Sequence, residues 1–260
     1  MSDPNTGPTR PLPDKRRRLG AWIAGGALLL LLAGLAAGSI RDHQLATRLL
    51  LTEPTEIPRH ADLVSYAEGL AKPAYAKHCV SCHGKDMQGD QAKGAPSLKD
   101  KIWLYQNGGV ADIERTVLYG IRSGNAKARN ITDMPALGRT MQLSPAEVRD
   151  VETYVLAFTG PQKDQAAVQR GSLIFQNKGV CYDCHSGDGS GNPDYGAPSL
   201  VDREWLYGGD QQTVFQSIYS GRHGVCPAWT GKLQPKVIRA LAVYLHQVSH
   251  RAAGKEGSHG

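Results

Sequence analysis

The sequence predicts an all-α protein: one N-terminal transmembrane helix followed by two tandem helical domains of the same plan. Three observations predict it. An uncharged apolar stretch of membrane-spanning length lies near the N-terminus, blocks of sequence recur 102 residues apart, and each recurring half ends in an apolar pattern of helical period. With 260 residues, 40% hydrophobic and 21% charged, the chain has the composition of globular protein plus an anchor.

The anchor comes first. Ala21 to Ile40 holds no charged residue over 20 positions, which at 1.5 Å per residue is about 30 Å of helix, the thickness of a bilayer core. Lys15, Arg16, Arg17 and Arg18 precede it and Arg41 alone follows directly, so the positive-inside rule leaves the N-terminus in the cytoplasm and exports everything after residue 41. Ala36-Ala37-Gly38-Ser39 would suit a signal peptidase, but a signal peptide's apolar core is shorter, roughly 7–15 residues. The expectation is therefore a cytoplasmic tail over 1–20 with its first 14 residues disordered, a retained anchor over 21–40 and a linker over 41–62, helical at its start. The formal charge is +6, yet six of the positive residues flank the anchor. The remainder is near neutral, which excludes nucleic acid as a partner.

The repeat comes next. Cys79 and Cys181, Gly94-Ala95-Pro96-Ser97-Leu98 and Gly196-Ala197-Pro198-Ser199-Leu200, and Trp103-Leu104-Tyr105 and Trp205-Leu206-Tyr207 all keep the interval of 102. Met134-Pro135-Ala136 then answers Cys226-Pro227-Ala228, the first copy carrying about ten extra residues, Asn125 to Asp133, ahead of it. Each copy closes on an amphipathic helix opened by proline, Ser144-Pro145 leading to Val148, Val151 and Val155, and Gln234-Pro235 leading to Val237, Ile238, Leu241 and Leu245. A period this long marks duplicated domains, not a solenoid. The expected boundaries are 63–160 and 161–250, with a disordered tail over 251–260.

Each copy contains one C-x-x-C-H, at Cys79-Val80-Ser81-Cys82-His83 and at Cys181-Tyr182-Asp183-Cys184-His185. Two thiols one helical turn apart can add to the two vinyl groups of one porphyrin while the adjacent imidazole binds its iron, the pattern of c-type haem attachment. A shared zinc site would need ligands with 98 residues between them, far beyond the usual spacing. In an exported chain the ordinary fate of paired cysteines is a disulfide, but the histidines point to haem. Two covalently bound haem c groups are expected, held by Cys79, Cys82 and His83 and by Cys181, Cys184 and His185.

Met134, in a turn ahead of the closing helix, is the expected sixth ligand of the first haem, because Met87 lies too close to the attachment motif and Met141 begins the next element. A thioether ligand raises the potential. Pro96 and Pro198 each follow an axial histidine by 13 residues and are expected to offer a carbonyl to its Nδ1–H. Arg122 and Arg222 are expected to pair with haem propionates, and Trp103, Trp205, Tyr105, Tyr207 and Trp229 to wall the haems.

On these motifs, with Gly-Ile-Arg-Ser-Gly at 120–124 and the Gly-Arg-x-Gly-Val-x-Pro-Ala-Trp run at 221–229, the chain resembles the CcoP/FixP dihaem subunit of the cbb-type haem-copper oxidases over about residues 65–250. The resemblance implies two tandem class-I-like cytochrome c domains on one anchor in a bacterial inner membrane, with the haems in the periplasm. It implies a non-catalytic subunit that takes electrons from a soluble cytochrome c or a quinol-oxidising complex. They would pass to the catalytic and monohaem subunits of an oxidase, or to another respiratory complex. One departure stands out: Cys226 occupies the position of the family's second methionine, and no methionine follows Met141. The expected sixth ligand of the second haem is then the Cys226 thiolate, His223, or none. An anchored dihaem carrier for a periplasmic dehydrogenase, and a gas-binding or peroxidase protein using an open second haem, are the competing functions.

Overall fold

The computed structural model describes residues 15–256 except residue 131, so the expectations for residues 1–14 and 257–260 lie outside the described residues. The chain divides into two units, residues 1–47 and 48–260. The first is the greater part of α1 (Lys15–Leu51), whose Trp22–Leu51 stretch is long and apolar enough to cross a membrane. The helix is longer than the 20-residue apolar run, because nothing in residues 41–51 breaks it: Pro54 is the first proline after the anchor. The linker expected over 41–62, helical at its start, has helix to Leu51 and then a 3₁₀ turn at Ile57–Arg59 that buries Ile57.

The second unit is helical, and no strand longer than an isolated bridge occurs among the described residues. Its helices are α2 (Ala61–His78), α3 (Val80–His83), α4 (Val110–Tyr119), α5 (Pro145–Ala157), α6 (Gln165–Gln176), α7 (Tyr182–His185), α8 (Gln211–Ser220) and α9 (Pro235–Glu256). The duplication is visible here, since α2, α3, α4 and α5 recur as α6, α7, α8 and α9. α5 opens on a full capping box: Glu147 N–H donates to Ser144 Oγ, and Ser144 N–H donates to the Glu147 carboxylate at 2.8 Å. α9 continues to Glu256, so residues 251–256 extend a helix where a disordered tail was expected.

The packing crosses the repeat. α5 packs on α6 and α8, and α9 packs on α2 and α4. One bundle is thus α2, α4 and α9, with Leu63, Ala67, Ala71, Ile238, Leu241 and Leu245 buried. The other is α5, α6 and α8, where Val148, Val151, Val155, Phe175, Val214 and Ile218 form one apolar cluster. The segments 63–160 and 161–250 describe the sequence repeat, whereas each bundle receives its closing helix from the other copy. Chain connectivity explains the exchange. Only residues 158–164 separate α5 from α6, a connection short enough to make them antiparallel neighbours. That occupies the face of α6 and leaves α2 to α9. At the α5–α6 crossing Gly171 lets the backbones meet, since a Cβ there would run into the Asp150 carbonyl oxygen.

Arg239 on α9 ties the base of the unit together. Its Nε pairs with Glu114 at 2.7 Å and its Nη1 donates to the carbonyls of Leu49, in the last turn of α1, and Thr52, just past its end.

Candidate haem sites

Each attachment motif forms a single helical turn. His83 N–H donates to Cys79 O at 2.9 Å and His185 N–H to Cys181 O at 2.9 Å, so both cysteines of each pair lie within one turn of the histidine. All five cysteines are free thiols. The histidine Nδ1–H donates to Pro96 O at 3.0 Å in the first copy and to Pro198 O at 2.9 Å in the second. A carbonyl only accepts, so this bond assigns the proton to Nδ1 and leaves the Nε2 lone pair free for iron. Burial pushes both imidazoles below the usual histidine range, against the raising effect of that bond, and so favours the neutral ligand form.

A cavity of about 320 Å³ opens beside the second motif. Cys181, Cys184 and His185 line it, with Val151, Val155, Phe175, Leu200 and Val214 as apolar walls and Trp205 and Tyr207 beside them. Met134, from the first copy, lines the same cavity. Its strand is fixed by an antiparallel bridge to Arg222, Met134 N–H donating to Arg222 O at 3.1 Å and Arg222 N–H to Met134 O at 3.0 Å. Two attachment thiols, a correctly protonated imidazole, a thioether and apolar walls fit a c-type haem.

The first motif has the reciprocal arrangement. Cys226, from the second copy, stands beside Cys79 and Cys82, and its strand bridges Ile121 through N–H···O bonds of 3.0 and 2.9 Å. Trp229 packs against His78, ring centroids 4.8 Å apart, and its N–H donates to Val117 O at the end of α4. Burial pushes the thiols of Cys79, Cys181 and Cys226 up to about 11, the direction expected in an apolar cradle. Gly120 and Gly221, at φ of 74° and 71°, let the exchanged strands approach: a Cβ on either would strike the carbonyl oxygen of Cys226 or of Met134.

Two family models match the chain: one described as cytochrome c over residues 70–159, and one described as cytochrome c oxidase, cbb3-type, subunit III, over residues 166–245. Among curated relatives, the cbb3-type cytochrome c oxidase subunit FixP of Bradyrhizobium sp. (strain ORS 278) is 38% identical over 210 residues, 80% of this chain and 70% of the relative. FixP of Azorhizobium caulinodans is 40% identical over 192 residues, 74% and 63% of the two chains. CcoP of Azospirillum brasilense is 34% identical over 219 residues, 82% and 72%. This chain belongs to the CcoP/FixP family. As a family member it is a membrane-anchored electron-transfer cytochrome with two covalently bound c-type haems.

The sequence paired the ligands by chain order, Met134 with His83 and Cys226 with His185. The structure instead places Met134 in the cavity of His185 and Cys226 beside Cys79 and Cys82, because the strand before each closing helix follows that helix to the other bundle. His223, offered as an alternative ligand, is exposed and turned to Asp133, with Nδ1 and the carboxylate 2.7 Å apart. The arginines also differ from expectation. Arg122 and Arg222 both line the cavity beside His185, and Arg122 donates through Nε to Gly224 O and through Nη1 to Thr132 O. Arg129 was missed. Its guanidinium is buried near Tyr105, in the surroundings that Arg222 has near Tyr207. The available signal was the insertion of Asn125 to Asp133, which returns a cation to the first copy one strand later.

Proposed function

We propose that the chain is the electron-feeding subunit of a cbb3-type oxidase, working on the periplasmic side of a bacterial inner membrane. It accepts single electrons from a soluble cytochrome c or a quinol-oxidising complex and delivers them to the oxidase's catalytic and monohaem subunits. Cys79, Cys82 and His83 hold one haem and Cys181, Cys184 and His185 the other. Haem iron supplies a one-electron couple whose potential its axial ligands set. The chain's own residues do the rest: Pro96 and Pro198 hold the imidazoles, the exchanged strands bring Cys226 to the first haem and Met134 to the second, and the apolar walls keep water out. Iron binding would have to deprotonate the buried Cys226 thiol; as an anion it would favour ferric iron and the Met134 thioether ferrous iron, which makes the His83/Cys226 centre the low-potential one and the His185/Met134 centre the high-potential one.

The observation that carries this reading is the pair of reciprocal cradles, each with one imidazole freed at Nε2 and one sulfur ligand arriving from the other copy. The four basic residues ahead of the span support the periplasmic assignment. Affinity isolation from native membranes tests the assembly. The catalytic and monohaem oxidase subunits should copurify, and deletion of this chain should abolish oxygen uptake from cytochrome c. Recovery of the chain free of oxidase subunits from membranes of full oxidase activity sinks the proposal.

A further inference from the structure

Arg129 is 8% exposed, and its side chain has no well-placed counter-charge. Nε donates to Thr116 Oγ1 at 3.1 Å and Nη2 to the Asp112 carbonyl at 3.4 Å, while the nearest Asp112 carboxylate oxygen stands at 3.6 Å on a side chain that is one-third exposed. Arg115, near by, adds repulsion. A guanidinium has five N–H donors, so several remain unspent. Burying a cation so weakly paired is costly unless another anion completes it.

The second copy holds an arginine in matching surroundings. Arg222 donates through Nε to Ser217 Oγ at 2.9 Å, lies 4.2 Å from the Tyr207 ring, and lines the haem cavity beside His185. Arg129 repeats the first two of these features: Thr116 stands where Ser217 does, one turn from the end of α4 as Ser217 is in α8, and the Tyr105 ring lies at 4.9 Å where Tyr207 does. The residue after Gly120 that corresponds to Arg222 is Ile121, which has no charge. The insertion compensates by bringing Arg129 alongside Ile121 in a parallel bridge, Arg129 N–H donating to Gly120 O and Arg122 N–H to Arg129 O. Ile121 thus sits between the strand of Cys226 and the strand of Arg129.

We propose that Arg129 is the positioning cation of the first haem and Arg222 that of the second, each pairing with the propionate carboxylates of its haem; this rests on the reading of the two cradles as haem sites. Arg122 does not fill the role, since its Nε and Nη1 are committed to backbone carbonyls beside the other cavity. By removing a buried positive charge, Arg129→Gln should make the first haem harder to reduce.

The test is a spectroelectrochemical titration of the full-length dihaem protein in detergent, the two haems being told apart by Cys226→Met, which alters the signal of the haem it faces. Arg129→Gln should lower the first haem's potential by a tenfold change in its one-electron equilibrium, about 59 mV, and leave the second haem's unchanged. Arg222→Gln should do the reverse. Arg129→Lys keeps the charge but not the planar fork, so it should retain the potential and shift the propionate bending band in resonance Raman spectra. An unchanged first potential in Arg129→Gln, or equal movement of both potentials, overturns the proposal. If Arg129→Gln does not accumulate with both haems, Arg129→Lys decides: an unshifted bending band overturns the assignment and a shifted band at retained potential supports it. Failure of the carrier reading is separate, and would appear as haems that do not titrate reversibly in the unmodified chain.

Discussion

At the scale of single residues, the proposed ligand pairing turns on Cys226. Because its strand is bonded to Ile121 and not to the second copy's own cradle, a change at 226 should be felt at the haem held by Cys79 and Cys82. Cys226→Met should raise the potential of that haem by at least tenfold in its one-electron equilibrium, about 59 mV, and should add a second thioether-to-iron charge-transfer band to the oxidised spectrum. The haem at His185 should keep its potential, and a response confined to that haem would refute the exchange. Glu147 shows what a surface residue contributes. Lys178 at 2.6 Å, the Ser144 N–H and the Ser144 hydroxyl hold its carboxyl down to about 2. Its folded value lies below its ordinary 4.5, so its contribution is complete above that value and is lost as the pH falls towards 2. Glu147→Gln should therefore flatten the acid limb of a stability-against-pH curve between those values and leave the alkaline limb alone, as followed by far-UV circular dichroism.

Whole elements are told apart by their glycines. Gly171 and Gly69 occupy equivalent positions of the two copies, 102 residues apart on α6 and α2. Gly171 is pressed against the Asp150 carbonyl, whereas a Cβ on the exposed Gly69 would meet nothing within 4 Å. Gly171→Ala should cost about 1–3 kcal/mol by overpacking the α5–α6 crossing. Gly69→Ala should instead add about 0.5–1 kcal/mol, the ordinary gain of alanine over glycine inside a helix. Chemical denaturation of the two variants should move the midpoint in opposite directions. Equal shifts would mean that the two helix pairs meet alike, as a simple duplication would have them.

For the molecule as a whole, the exchange makes residues 48–260 one structural body. A chain ending at residue 160 would keep α2, α4 and α5 but lack α9 and Cys226, so its first motif would have neither its closing helix nor its sulfur partner. It should be degraded by limited proteolysis where the full chain resists, and the full chain should unfold in one transition. The sequence made much of this legible. The anchor follows from twenty uncharged residues, the duplication from an unbroken register, and the carbonyl partners of His83 and His185 from the 13-residue spacing to proline. It did not reveal which copy each closing helix serves, because α5 and α9 present similar apolar stripes and either would suit α2 or α6. The deciding feature is the short connection over 158–164, a constraint of geometry and not of composition. Arg129 escaped for a related reason: its place is defined by Ile121 and Tyr105 in space, and the insertion that delivers it has no counterpart in the second copy.

The exchanged strands also alter how descent is written in the chain. In a duplicated protein whose halves close on themselves, each copy records the history of its own metal centre. Here the residue that the proposed pairing gives to the first centre, Cys226, stands in the second copy, nine residues before the start of a helix that packs on α2. Comparing the copies as separate ancestral domains would credit that residue to the wrong haem. The inherited unit is the cradle, assembled from two distant stretches of one gene that must drift together.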